Sequence, residues 1–266
     1  ASDVYKRQTY SWVATENENL TGYVESGTTA YIPSQTITNT TNTAQNLVYT
    51  VTPIADGCAG TPFEYTLTIQ HVPVIADKDE TICDGETFNI QPLDNSPTEI
   101  VPVGTTYSWS APVSNPAGAV TGGFEGASQA SISQTLTNTI DSPATLTYTV
   151  QSEYNGCKGD PFEVVITVNP TVGVDAIADQ VLCNGDDTLA IEFSTTLNEN
   201  SSDDEGTISY TWINDNTDIG LAASGSGNIP SFTATNSTTG PITGNVTVTS
   251  VYTYNDVSCE GESETF

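Results

Sequence analysis

Two segments of the chain alternate between apolar and polar residues with a period of two. In FEYTLTI, residues 63–69, every second residue is aromatic or aliphatic, and FEVVITV, residues 162–168, repeats that spacing. A period of two with β-branched partners is typical of a strand that has one buried and one solvated face. No stretch shows convincing helical periodicity, so the pattern predicts an all-β protein.

A longer set of motifs, which begins with a tryptophan strand, occurs three times at matching positions. Trp12, Trp109 and Trp212 each end a short motif, TYSW, TYSW and SYTW, and lie about 100 residues apart. Each is followed by a Thr/Asn-rich run: IPSQTITNT, ISQTLTNT and IPSFTATN. A further strand pattern and then a cysteine come after each run. Self-similarity at this period indicates a tandem array of one small domain.

The repeat sets the predicted boundaries. Residues 1–8 are interpreted as a cloning or sequencing scar, because DVYKRQ matches the translation of a transposon end used to tag DNA fragments. Repeat one spans residues 9–72 and lacks its opening strands. Repeat two, residues 73–170, is complete. Repeat three, residues 171–266, stops where its closing strand is expected to begin.

A unit of about 100 residues with six or more short strands suggests a two-sheet β-sandwich. An early strand of each unit carries the recurring tryptophan, so Trp12, Trp109 and Trp212 are predicted core anchors. The alternative is an exposed tryptophan platform for sugar stacking. The place of each tryptophan in an alternating strand motif favours the core.

Five cysteines occur at repeating positions. The opening cysteines, Cys83 in ICDGE and Cys183 in LCNGD, precede a turn near the start of repeats two and three. The closing cysteines precede the last strand of a repeat: Cys58, Cys157 and Cys259. We expect Cys83–Cys157 and Cys183–Cys259 bonds, with Cys58 unpaired, since each module then carries its own cross-link. The rival pairing joins neighbouring repeats through Cys58–Cys83 and Cys157–Cys183. Either pairing implies an oxidising compartment.

The charge balance restricts the partners. The formal net charge is -29, with 33 acidic and 4 basic residues. Outside the predicted scar the basic residues are Lys78 and Lys158. Such a chain repels phosphate backbones and anionic membranes, which argues against nucleic-acid binding. No apolar run approaches the roughly 18 residues that a membrane-spanning helix needs, so membrane insertion is not expected.

Catalytic chemistry is not indicated. The single histidine, His71, lies in QHVP at the end of a strand and is interpreted as a linker residue rather than a general base. The acidic run Asp203-Asp204-Glu205 is surrounded by Asn, Ser and Gly, which is typical of a solvated loop. No phosphate-binding glycine loop or zinc pattern occurs. We therefore expect a non-enzymatic protein without a cofactor.

Calcium is the one metal for which the sequence offers ligands. Asp186 and Asp187 in CNGDD, and Asp215 and Asp218 in NDNTDIG, place carboxylates in turns. Calcium prefers such oxygen ligands, but neither run has the complete EF-hand order. Ordinary turn chemistry by Asp, Asn and Gly is the competing interpretation.

The run IGLAASGSGNIPSFTATN, residues 219–236, together with LCNGDD, YTW and SCEG, resembles the PKD-like repeat. The resemblance is strongest over residues 171–266 and continues, more diverged, towards the N-terminus. It implies tandem immunoglobulin-like sandwiches in a linear array, in exported, extracellular or cell-surface proteins of Bacteroidetes-type bacteria. Neighbouring repeats, and a glycan or cell-surface ligand, are the implied partners.

Two functions are consistent with this resemblance. The first is a non-catalytic structural and adhesive segment, a stalk of acidic modules in a large surface protein. The alternative is an accessory or carbohydrate-binding module of a secreted polysaccharide-degrading enzyme. Whether a catalytic domain lies in the same chain would separate the two.

Overall fold

A computed structural model gives the architecture of the chain and describes residues 8–195 and 206–266. Most of the predicted N-terminal scar, residues 1–7, and the acidic run at residues 203–205 lie outside this part. Gln8, the last residue of the predicted scar, begins the first strand and lies opposite Ala55.

Repeat one forms a sheet around a long central strand, β5. Its strands are β1 (Gln8–Ala14), β2 (Leu20–Thr21), β3 (Ser26–Gly27), β4 (Thr38–Asn39), β5 (Gln45–Ala55), β6 (Cys58–Ala59) and β7 (Phe63–Ile69). The spatial order is β3-β1-β5-β6, and β7 pairs with the other end of β5. The short β2 and β4 pair separately.

Repeat two has the larger sheet and a second layer over it. Its strands are β8 (Lys78–Cys83), β9 (Thr87–Ile90), β10 (Thr106–Trp109), β11 (Val113–Asn115), β12 (Val120–Thr121), β13 (Gly126–Gln129), β14 (Ile132–Thr135), β15 (Thr137–Asn138), β16 (Ala144–Tyr154), β17 (Cys157–Lys158) and β18 (Phe162–Asn169). The main order is β13-β10-β16-β18-β8, with β11 and β17 also on β16. The pairs β9–β14 and β12–β15 lie outside it, and Phe88 of β9 packs on Tyr148 of β16 with ring centroids 5.5 Å apart.

Repeat three reproduces the central part of this sheet. Its strands are β19 (Thr207–Asn214), β20 (Ser224–Ser226), β21 (Val246–Tyr254), β22 (Val257–Glu260) and β23 (Glu264–Thr265). A single-turn 3-10 helix covers Thr217–Ile219. The order is β20-β19-β21-β22, and β23 pairs with β21. The chain is therefore an all-β tandem of sandwich domains.

The three tryptophans occupy the same place in the three sheets. Trp12 lies opposite Val51, Trp109 opposite Val150 and Trp212 opposite Val248. Each ring is 4–7% exposed and belongs to the core cluster of its own repeat. The structure thus places them in the core and not on an exposed surface.

The last strands of repeats one and two differ in burial although their patterns match. Phe162 and Val164 of β18 are buried, whereas Phe63 and Tyr65 of β7 are 54% and 50% exposed. In repeat two, β8 runs parallel to β18 and continues into the covering strand β9. The described part of repeat one has no strand at these positions. The period of two places residues on one face, and only a covering layer buries that face.

Candidate functional site

The four aspartates considered for calcium are used in separate turns. Asp186 accepts the backbone N–H of Cys183 at 3.2 Å, and Asp187 accepts the hydroxyl of Thr233 at 2.7 Å. Asp218 follows the 3-10 cap residue Asn216, whose side chain accepts the Asp218 N–H at 3.1 Å. The Asp186 and Asn216 contacts are those of polar turns, whereas the Asp187–Thr233 contact joins two distant segments across an isolated β-bridge.

Asp215 binds a neighbouring loop. Its two carboxylate oxygens accept the backbone N–H of Asn245 at 2.7 Å and the side-chain amide of Asn245 at 2.6 Å. The side-chain hydrogen bond, followed by the backbone one, holds the pKa of Asp215 below its usual range. Within residues 8–195 and 206–266, no three His, Cys, Asp or Glu side chains are grouped in a way that could hold a metal ion.

One joint between successive repeats is covalent. A disulfide joins Cys83, at the end of β8 in repeat two, to Cys259 of β22 in repeat three. Their Sγ atoms are 2.02 Å apart and their Cα atoms 5.5 Å apart. Cys58, Cys157 and Cys183 are free thiols. This bond replaces both expected pairings, Cys83–Cys157 with Cys183–Cys259 and the rival set.

The strand registers explain why Cys83 cannot reach Cys157. Cys83 lies opposite Asn169, the last residue of β18. Cys157 lies opposite Tyr154, at the end of β16 that faces the beginning of β18. At about 3.3 Å per residue, the length of β18 alone separates the two cysteines by roughly 20 Å. A disulfide requires Cα atoms within about 7 Å. The opening and closing cysteines thus sit at opposite ends of one repeat.

Polar contacts surround the disulfide at the joint between repeats two and three. The Asn169 side-chain amide donates to the carbonyls of Tyr254 and Val257, at 3.1 and 3.3 Å. These two residues end β21 and begin β22, so the hairpin of repeat three caps the last strand of repeat two. The buried hydroxyl of Ser250 donates to the carbonyl of Val172 in the linker.

A glycine lets the linker approach each repeat closely. A Cβ on Gly261 would lie 1.7 Å from the Val172 carbonyl oxygen, and one on Gly159 would lie 2.4 Å from that of Pro73. Both glycines occur two residues after a closing cysteine, in CKG and CEG. These contacts were not predicted from the sequence, although the recurring C-x-G was a usable signal.

The joint between repeats one and two is packed around His71. This side chain is 3% exposed, and burial lowers its pKa, opposed by the backbone hydrogen bond with Val72 and by the Asp94 carboxylate. The Asn42 amide of repeat one donates to Asp94 of repeat two at 2.6 Å. The predicted linker histidine therefore lies in a buried contact between domains.

Lys78 and Glu99 support this joint from repeat two. The Lys78 ammonium lies 2.5 Å from the Glu99 carboxylate, which also accepts the backbone N–H of Ala76 at 3.0 Å. The hydrogen bond with Lys78 is the main cause that lowers the pKa of Glu99. The contact fixes the start of β8 beside the linker.

One cavity of about 470 Å³ lies in repeat three. Its wall combines the segment around Leu182 with Ile219, Phe232 and the end residue Phe266. It occupies the side of the sheet where repeat two has the β8–β18 pair. Among the described residues, no helix is long and apolar enough to cross a membrane.

The geometry defines a class of protein: tandem β-sandwich modules joined through packed and cross-linked contacts. A family model described as "PKD-like domain" matches residues 1–73 and 80–172. The chain belongs to this PKD-like domain family. The match covers the first two repeats and not the third, where the sequence resemblance had been strongest. No curated protein matches the chain.

The comparison with solved structures finds matches of low identity. The chicken CNTN1 FN1-FN3 domains are 9% identical with a TM-score of 0.31, covering 97% of this chain and 87% of that one. Mouse PcdhgC3 EC1-3 is 10% identical with a TM-score of 0.28, covering 99% and 90%. Sidekick-1 immunoglobulin domains 1-5 are 11% identical with a TM-score of 0.25, covering 97% and 52%. The chain thus spans about half of that Sidekick-1 structure.

Proposed function

We propose that this chain is a non-catalytic structural and adhesive repeat segment, a load-bearing stalk of a large secreted or cell-surface bacterial protein. The observation that carries the proposal is the Cys83–Cys259 bond, which connects two successive modules of the PKD-like family across their joint. Disulfides persist in oxidising, extracellular environments, which supports export. A net charge of -29 supports a soluble, mutually repelling surface array.

The bond has a mechanical consequence for a chain pulled from its ends. Cys83 and Cys259 are 176 residues apart in sequence but 5.5 Å apart in space. Tension entering through repeat one crosses the disulfide and bypasses the chain between the two cysteines. At up to about 3.6 Å per residue, the protected segment would otherwise add roughly 600 Å of contour length.

Force spectroscopy on the full chain tests the load-bearing role. The oxidised chain should lengthen only through repeat one and the ends, and reduction should add roughly 600 Å of extension. The Cys259→Ser variant should behave like the reduced chain under both conditions, and Cys58→Ser should behave like the native chain. Equal extension of the oxidised and reduced native chains would count against a load-bearing stalk.

A glycan-binding panel separates the stalk from the accessory-module alternative. The three tryptophans are buried, so they offer no stacking surface, and we expect no glycan to bind. Saturable binding of a polysaccharide to the full chain, lost when an exposed aromatic residue such as Phe124 or Tyr31 is changed to Ala, would favour the carbohydrate-binding alternative.

A further inference from the structure

Each cysteine of the inter-repeat disulfide has a structural counterpart in the adjacent repeat. In the opening turns, Cys83 donates its N–H to Glu86 at 2.9 Å, and Cys183 donates its N–H to Asp186 at 3.2 Å. The glycine of each turn also makes an equivalent hydrogen bond, because Gly85 and Gly185 each donate their N–H to a backbone carbonyl at 2.9 Å. Cys183 therefore holds in repeat three the position that Cys83 holds in repeat two.

The closing cysteines correspond in the same way. Cys157 lies opposite Tyr154 on β16, and Cys259 lies opposite Tyr252 on β21. Two residues later, Gly159 and Gly261 donate to the carbonyls of Ser152 and Ser250, at 3.1 and 2.9 Å. The closing hairpin of repeat three differs by being longer at its tip.

We infer that the opening cysteine of every repeat is bonded to the closing cysteine of the next repeat along the array. Cys183 is then the site for the closing cysteine of a PKD-like repeat packed after repeat three. Cys157 is the site for an opening cysteine in repeat one, and Cys58 for one in a preceding repeat. In that arrangement, the partners of the three free thiols would belong to neighbouring segments of the array. The inference rests on the proposed array and extends it.

The pairing of an opening cysteine with the closing cysteine of the next repeat follows from their positions at opposite ends of a repeat. The opening cysteine lies where the last strand finishes, as Cys83 does beside Asn169. The chain leaves the repeat at that end, so the closing hairpin of the next repeat is placed against it. Repeats that continue in this way bring one opening and one closing thiol together at every joint.

Bond formation needs an oxidant of the disulfide class. One thiolate attacks a sulfur of a small-molecule or protein disulfide and expels one thiol. The second cysteine thiolate then attacks the mixed disulfide, forms the S–S bond and expels the other thiol. Two cysteine thiols are oxidised, and one external disulfide is reduced to two thiols, so electrons and protons balance.

Such bonds overlap along the chain. Cys183 opens its loop before Cys259 closes the preceding loop. Every residue between the first and last cross-links then lies inside at least one disulfide loop. In such an array the shortest covalent path from a closing cysteine runs through the linker to the next opening cysteine and then across the next disulfide, so the body of every repeat is bypassed.

A chain extended by one repeat tests the inference. Phe266 and Val164 occupy equivalent positions opposite Val246 and Tyr148, so residues 165–266 are appended directly after Phe266. The protein is refolded in a glutathione redox buffer, and its free thiols are counted after denaturation. The extension adds copies of Cys183 and Cys259. The copy of Cys259 should bond Cys183, and the copy of Cys183 should be free in its place, so the count should stay at the three of the native chain.

Mass mapping and matched variants identify the bond. Peptides from the non-reduced extended chain should link Cys183 to the added copy of Cys259. Cys183→Ser in the original repeat three should free that copy, whereas Cys58→Ser should leave the link intact. A Cys83–Cys259 bond accompanied by two additional free thiols would overturn the inference. The force experiment reads only the existing bond, so its outcome is separate from this one.

A second measurement uses the native chain and does not depend on folding of the extension. A peptide of residues 77–88, activated as its thionitrobenzoate disulfide, supplies an opening strand and its cysteine to the uncovered edge of β7. The thiolate of Cys157 attacks the peptide sulfur and expels thionitrobenzoate. The adduct should form at Cys157 at least about tenfold faster than with a scrambled peptide, through raised effective concentration. Preferential labelling of Cys58 and Cys183, which are more exposed, would overturn the inference.

Discussion

At the scale of single residues, each repeat has a core tryptophan that packs closely against a glycine. A Cβ on Gly27, Gly126 or Gly225 would lie 2.2–2.3 Å from the Cζ2 atom of the tryptophan in the same repeat. Each glycine is on a strand paired with the tryptophan strand. In repeat two, the Trp109 indole N–H also donates to the Phe124 carbonyl at 2.9 Å. A glycine is needed here because of close approach and not because of backbone conformation.

Changing Gly126 to Ala should destabilise repeat two by about 3 kcal/mol, since the added methyl overlaps the Trp109 ring in a packed core. Gly173→Ala is the matched control, because no atom lies within 4 Å of the position that its added methyl would take, and it should change stability by less than about 0.5 kcal/mol. Hydrogen exchange of the β16 amides measures both. Equal protection of β16 in the two variants would contradict the proposed tryptophan–glycine contact.

At the scale of elements, the last strand decides whether a repeat is closed. In repeat two, β16 is flanked by β10 and β11 on one side and by β18 on the other, and β8 adds to β18. In repeat three, β21 is flanked by β19, but its other side pairs with the short β22 and the two-residue β23. Residues 178–183, which correspond to β8, form no strand. The segment that corresponds to β8 needs a last strand to pair with in parallel, and β23 is too short to provide one.

This difference predicts how separate repeats behave. Residues 73–170 should be a soluble monomer that melts cooperatively, whereas residues 171–266 should aggregate, because the two-residue β23 has no strand beside it and leaves unpaired backbone at the edge of the sheet. Appending the sequence VITVN of residues 165–169 after Phe266 should restore solubility by extending β23. Size-exclusion chromatography and thermal melting under reducing conditions check this. Equal behaviour of the first two fragments would show that the missing pairing is unimportant.

At the scale of the whole molecule, the joints make successive repeats one structure. The first joint buries His71 beside the Asn42–Asp94 hydrogen bond, and the second contains the Cys83–Cys259 disulfide with the Asn169 cap. We therefore expect the first joint to respond to pH and the second to reductants.

The buried histidine predicts a pH dependence of the first joint. Because burial lowers the pKa of His71 from 6.5, the unfolded chain takes up this proton more readily than the folded chain. The associated stability is present above pH 6.5 and is lost as the pH falls below that value. Urea unfolding of the native chain should therefore weaken more between pH 7.5 and 5.5 than that of His71→Gln. Asp94 and Glu99 are common to both proteins, so parallel pH profiles would assign no such effect to His71.

Several features could be predicted from sequence because they are local. The alternation of β7 and β18 fixes strand type, and the repeated Trp motif fixes the register that places Trp12, Trp109 and Trp212 opposite equivalent valines. The calcium candidates show the limit of such reasoning. Asp186 and Asp215 are carboxylates in turns, as the sequence suggested, but each is bound to its own loop partner. A residue pattern does not report which loops meet.

The sequence by itself determined that this protein is a tandem of β-strand repeats with one tryptophan core in each, because a period of two and a repeat of about 100 residues are properties of the chain. Only the tertiary structure decided that Cys83 bonds Cys259 and that His71 is buried. The physical reason is distance: strands carry the opening and closing cysteines to opposite ends of a repeat, and the stacking of repeats brings together residues that are far apart in sequence.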